Sequence, residues 1–109
     1  MAYDEGLAQR VREELGARPG YVEKEMFGGI GFMLHGNMAC GVIGADLIVR
    51  VGPERYERAL TEPHARPFDM TGRPMRGWVV VVADGYEADE DLAAWIEKGV
   101  EHALSLPPK

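Results

Sequence analysis

The chain is poor in the features that would declare an activity. It has one cysteine, Cys40, so no internal disulfide is possible, which agrees with a reducing compartment. No apolar run approaches the roughly 20 residues that a membrane helix needs. Asp4 and Glu5 precede any apolar segment, the wrong order for a secretory signal. A cytoplasmic protein without membrane association is the expectation. Cations are in deficit: Lys and Arg number 12 against 18 Asp and Glu, a net charge of −6. Phosphate contacts need clustered Lys and Arg, so direct nucleic-acid binding is left to a local basic patch. There is no internal repeat, low-complexity segment or linker.

What is present is enough for one domain, residues 1–109. A chain of 109 residues that is 46% hydrophobic can bury a core without staples. Leu7, Val11 and Leu15 fall at a spacing of four and predict a first helix from Asp4 to Leu15, with Asp4 and Glu5 at its positive end. Gly16 and Pro19-Gly20 stop it. The next apolar run, Val22 to Leu34, is too long for one straight strand. It reads as a strand bent or bulged at Gly28-Gly29, with one of the two expected in a bulge or at positive φ. His35-Gly36-Asn37 is a turn, Met38 to Ile43 the second strand, Gly44-Ala45-Asp46 another turn, and Leu47 to Val51 the third strand. Loops this short make an antiparallel meander.

Gly52-Pro53 breaks the sheet and opens a short helix, Glu54 to Leu60. Thr61 to Gly77 is the longest irregular segment. Its prolines, Pro63, Pro67 and Pro74, restrict its unfolded states, and it is expected to be fixed, with Arg66 or Arg73 bound to a carboxylate or to carbonyls. Trp78 to Val82 is a strand covered on both faces, Asp84-Gly85 a turn, and Asp89 the N-cap of a last helix from Glu90 to Leu104. Leu92, Trp95, Ile96, Gly99, Val100, Ala103 and Leu104 give that helix a broad apolar stripe, with Trp95 buried against the sheet. Segregated strands and short loops favour α+β with an antiparallel sheet.

Few side chains suggest chemistry. Cys40 lies mid-strand between Ala39 and Gly41 with no activating neighbour, which reads as a buried, unreactive core residue. His35, His64 and His102 share no metal-ligand spacing with one another or with Cys40, so no metal or other cofactor is expected. Gly28-Gly29-Ile30-Gly31 lacks the Lys-Ser/Thr ending of a phosphate loop and opens no helix. An enzyme would need Cys40, His64 and Asp69 to converge within hydrogen-bond reach. The basic residues carry more weight. Lys24, Arg50, His64, Arg66, Arg73 and Arg76 lie on strands or in the long loop, and are the candidate binding residues for an anion or a peptide. Asp69 and Glu25 are the candidate carboxylate partners of Arg50. Met26, Phe27, Phe32, Met33 and Met38 exceed what one sheet face needs, which points to packing on both faces or to a partner or homodimer surface.

Two segments, Lys24-Glu25-Met26-Phe27-Gly28-Gly29-Ile30-Gly31-Phe32-Met33-Leu34-His35-Gly36-Asn37-Met38-Ala39-Cys40-Gly41-Val42 and Phe68-Asp69-Met70-Thr71-Gly72-Arg73-Pro74-Met75-Arg76-Gly77-Trp78-Val79, resemble the amino-terminal domain of the TfoX/Sxy competence regulators. The resemblance runs from about Asp4 to Leu106. It implies the order α-β-β-β-α-β-β-α with a sheet of about five strands, the extra strand falling within Arg66 to Thr71. It also implies a non-enzymatic regulatory module, linked to competence or transcription through protein contacts. The family's second, C-terminal domain is not expected within these residues. A methyltransferase, a label carried by some relatives, would need a doubly wound sheet that this element order does not make.

Overall fold

The structure, a computed structural model, describes residues 3–26, 28–69, 72 and 74–108. Its elements run α1 (Glu5–Leu15), β1 (Tyr21–Met26), β2 (Gly29–Leu34), β3 (Asn37–Ile43), β4 (Asp46–Arg50), α2 (Tyr56–Leu60), β5 (Ala65–Pro67), β6 (Trp78–Val81), α3 (Ala83–Tyr86) and α4 (Asp89–Ser105). The fold is α+β. The strands form one six-stranded sheet in the order β1-β2-β3-β4-β6-β5. Every neighbouring pair is antiparallel.

Two-residue loops explain the first four strands. Leu34 pairs with Asn37, and His35 and Gly36 between them have φ of 53° and 86°. Positive φ at both central positions matches the right-handed twist of the strands. Ile43 pairs with Asp46 across Gly44, whose φ is 58°. The apolar run from Val22 to Leu34 is not one bent strand. Met26 pairs with Gly29, so the chain reverses there and makes two strands, with Gly28 at φ 75°. The positive φ is as expected, but its role is a hairpin turn. This raises the strand count from about five to six.

The bulge lies elsewhere. Phe32 pairs with Cys40 but Met33 pairs with Met38, which leaves Ala39 as the extra residue on β3. Gly29 is constrained by the neighbouring strand: a Cβ there would stand 2.3 Å from the Val42 carbonyl oxygen and 2.8 Å from Ile43 Cγ1. Gly29→Ala is therefore expected to cost about 1–3 kcal/mol, read as a lower urea midpoint at unchanged slope.

Beyond β4 the chain leaves the sheet through α2. It returns as β5 on the far edge and then inserts β6 between β5 and β4. The three residues of β5 overlap the strand that the family resemblance placed within 66–71. Two local expectations are corrected. Asp84-Gly85 is part of the short helix α3 rather than a turn, and Gly85 fits there because a Cβ would meet Val81 Cγ1 at 2.6 Å. Asp89 is the first residue of α4 rather than its cap; Ala88 holds that position without a side-chain bond. Asp89, Glu90 and Asp91 in the first turn supply the charge that favours a helix N-terminus. In α1, by contrast, Asp4 is the cap, and its Oδ1 accepts from the Leu7 N–H at 3.1 Å.

The helices gather on one face of the sheet. Leu7, Val11 and Leu15 of α1, Tyr56 and Ala59 of α2, and Leu92, Trp95, Ile96 and Val100 of α4 share one core cluster with Phe32, Leu34, Val42, Leu47, Val49, Val79 and Val81. Trp95 is 5% exposed. Ile48 and Val80 are also buried, but they stand outside that cluster, because strand alternation turns them to the opposite face.

A candidate binding face on the uncovered side of the sheet

The second face carries no helix among the described residues. Directly paired residues share a face, so the register reads out one row across all six strands: Lys24, Gly31, Gly41, Ile48, Val80 and Arg66. Val22, Met33 and Met38 lie in the row toward one end, as do Arg50 and Trp78 on β4 and β6. Met26, Gly29, Ile43 and Asp46 lie toward the other end.

The centre of this face is a furrow in the backbone that methionine side chains fill. Gly29 and Gly31 on β2 and Gly41 on β3 present no side chain. Two methionine tips lie over Gly31 and Gly41: Met26 Cε and Met38 Cε each stand 3.3 Å from where a Gly31 Cβ would be, and Met38 Cε stands 2.7 Å from that of Gly41. Met26, Met33, Met38 and Ile43 are half-buried. Thioether chains have three soft torsions and repack readily.

The arginines border the rest of the face. Arg50 does not pair with Asp69 or Glu25; its guanidinium lies 5.3 Å from the centre of the Trp78 ring, and Phe68 packs against Trp78 with ring centres 6.3 Å apart. Glu25 points to the other face of the edge strand. Arg66 reaches over β6 to Asp46, Nη2 to Oδ2 at 3.2 Å. These groups flank Ile48 and Val80, which accounts for their burial without a helix. The Arg66–Asp46 pair is exposed and worth little in stability.

Of the candidate binding residues, Lys24, Arg50 and Arg66 share this face. His64 precedes β5, exposed and with φ of 71°, and its carbonyl accepts from Val82 N–H. Arg76 is exposed in the loop before β6. Arg73 lies outside the described residues. The described part of that loop is tied down: Met75 N–H donates to Phe68 O, Gly72 N–H to Asp69 O, and Trp78 N–H to Met75 O. On the open face the strand positions hold three cations and one acid, in a chain whose net charge is −6.

Cys40, His64 and Asp69 do not form a catalytic cluster. Cys40 is fully buried on the helix-covered face, and burial pushes its thiol up to about 12. His64 and Asp69 lie exposed at the β5 edge, three strands away from β3. A thiol reagent is expected to label Cys40 only at the rate of unfolding, so labelling should become fast only in denaturant. No group of three or more His, Cys, Asp or Glu among the described residues could hold a metal ion. No helix among them is long and apolar enough to cross a membrane.

A polar knot on the covered side fastens α1 to β1. Glu23 Oε2 accepts from Arg12 Nε at 2.8 Å and from the Tyr21 hydroxyl at 2.5 Å. Partial burial opposes ionisation of Glu23, but the bonds from Arg12 and Tyr21 together hold its carboxyl below the usual range. A carboxylate whose pKa is lower in the folded state stabilises above its unfolded pKa, and the contribution fades as the pH falls through the folded value. Glu23→Gln is therefore expected to lower stability at neutral pH and to narrow its gap to the parent below about pH 4 in urea titrations.

Sequence reasoning missed the furrow. Its floor depends on Gly31 and Gly41 being paired, and a regular hairpin through His35-Gly36 would pair Gly31 with Cys40 instead. The one-residue bulge at Ala39 brings Gly41 into place. It also missed Trp78 and Val80, read there only as part of a covered strand.

Compared with known proteins, residues 13–103 match the family model of the TfoX N-terminal domain. No curated protein matches the chain.

Proposed function

Because the chain belongs to the TfoX N-terminal domain family, we propose that it is a non-enzymatic regulatory module that works in the cytoplasm through protein contacts made by the open face of the sheet. At the level of the family, a regulatory module is the supported reading. The observation that carries the finer one is the asymmetry of the sheet. One face is closed by the helices, while the other presents methionines, a glycine furrow and Lys24, Arg50 and Arg66.

Both sheet edges are poor docking strands. β1 carries Glu23, Lys24 and Glu25, and β5 has three residues and contains Pro67. Charges and proline on an edge discourage strand addition. Contact through the face rather than the edge follows. The regulatory outcome proposed is on transcription, reached through a bound protein rather than through DNA.

Tagged protein expressed in the native host tests this. Partners that co-purify with the parent should be lost from a Met33→Asp/Lys24→Glu variant. They should be kept by a Glu90→Lys variant on the exposed start of α4. Retention by both variants overturns the reading.

A further inference from the structure

We propose that the occupant of the open face is an acidic amphipathic helix of a partner protein, seated across the strands over the Gly31–Gly41 furrow with its carboxylates toward Lys24, Arg50 and Arg66. This rests on the reading that the face is the docking surface, and adds the chemistry of what docks.

Three features select a helix of this kind. A sheet face is ordinarily closed by helices, and this sheet has them on one side only. On that covered side the close approach is made by small residues: Gly99 of α4 sits over the Ala39 carbonyl. The open face repeats the device with glycines on the sheet instead of the helix. Its furrow is filled by Met26 and Met38 tips, which can swing up to become walls around an apolar stripe.

Charge decides the sign of the helix. On this face the cations Lys24, Arg50 and Arg66 outnumber Asp46, the reverse of the chain as a whole. Lys24 and Arg50 are three strands apart, about 14 Å, which corresponds to about nine or ten residues of helix. The expected ligand therefore carries apolar residues at i, i+3, i+4 and i+7, flanked by carboxylates on either side of that stripe.

The same charges argue against the alternatives. A second copy laid face to face would set like-charged surfaces against each other. A single-stranded nucleic acid needs free aromatic platforms and a basic track. Here Trp78 is already engaged by Arg50 and Phe68, and the chain is acidic.

The test uses three labelled probes against the full chain: a designed acidic amphipathic helix of about 18 residues, long enough to cross the sheet, the same peptide with lysines for its glutamates, and an oligothymidylate. Fluorescence anisotropy should show binding of the acidic helix alone, weakened by salt. Amide shifts should fall on Lys24, Gly31, Gly41, Ile48 and Trp78. Lys24→Glu/Arg66→Gln, at two exposed positions, should weaken the acidic helix about tenfold, while the loss of the exposed Arg66–Asp46 pair shifts the thermal midpoint only slightly. No binding of the acidic helix, equal binding of both peptides, preference for the oligonucleotide, or shifts that depend only on protein concentration would each overturn the proposal. If host partners are lost from the open-face variants while the acidic helix fails to bind, only the helix assignment falls. If host partners survive those variants, the face itself is wrong.

Discussion

Trp95→Ala is expected to destabilise the protein by about 3–5 kcal/mol. The indole is 5% exposed and belongs to the core cluster with Leu92, Ile96 and Val100 of the same helix. Its ring also carries the Lys98 ammonium at 4.9 Å from the centroid, which closes its solvent side. Truncation removes the largest side chain of α4 from the seam between helix and sheet. The core cluster around it draws on helices and strands together, so the space left by the indole refills only in part. At this chain length each kcal/mol is worth several degrees, so the melting midpoint should fall by tens of degrees. Trp95→Phe should recover most of the loss. A fall within a few degrees for Trp95→Ala would mean that the helix does not depend on this seam.

Gly99→Ala is expected to cost about 3 kcal/mol, although alanine is the better helix former by about 1 kcal/mol. A Cβ at residue 99 would stand 2.2 Å from the Ala39 carbonyl oxygen and 3.0 Å from its carbon. Those are backbone atoms of a central strand, so no side chain can turn away. Either α4 lifts from the sheet or the bulge at Ala39 flattens. Flattening would re-register β3 against β2, moving Gly41 away from Gly31. The variant is thus expected to disturb the open face from the opposite side of the sheet, visible as amide shifts at Gly31, Gly41 and Met38. Unfolding in urea measures the stability loss. Parental stability together with parental spectra would refute the close-approach account.

The same two glycine contacts explain how the fold prepares its face. The bulge that receives Gly99 on the covered side is the bulge that pairs Gly41 with Gly31 on the other. Helix seating and furrow geometry therefore share one local feature of β3. This arrangement places adaptable methionine side chains on a rigid sheet.

Local pattern was enough for much of this molecule. The spacing of Leu7, Val11 and Leu15 set α1, and the stripe from Leu92 to Ala103 set α4 with Trp95 inward, because helical periodicity is a property of the sequence itself. Glycines in the turns at His35-Gly36 and Gly44 dictated the hairpins, because positive φ is cheap only there. The burial of Cys40 followed from its apolar strand. The α+β class was legible in the order of the elements, and the family in the resemblance of residues 24–42 and 68–79, which the family match over residues 13–103 bears out. Tertiary structure decided the rest. The reversal at Gly28, instead of a bulge, depended on which strands could pair. The actual bulge lies at Ala39, where Gly99 of α4 packs from 60 residues away in the chain. The gathering of Lys24, Arg50 and Arg66 on one face depended on β6 inserting between β4 and β5. Pairing register and helix seating arise from contacts between distant segments, and no local spacing encodes them.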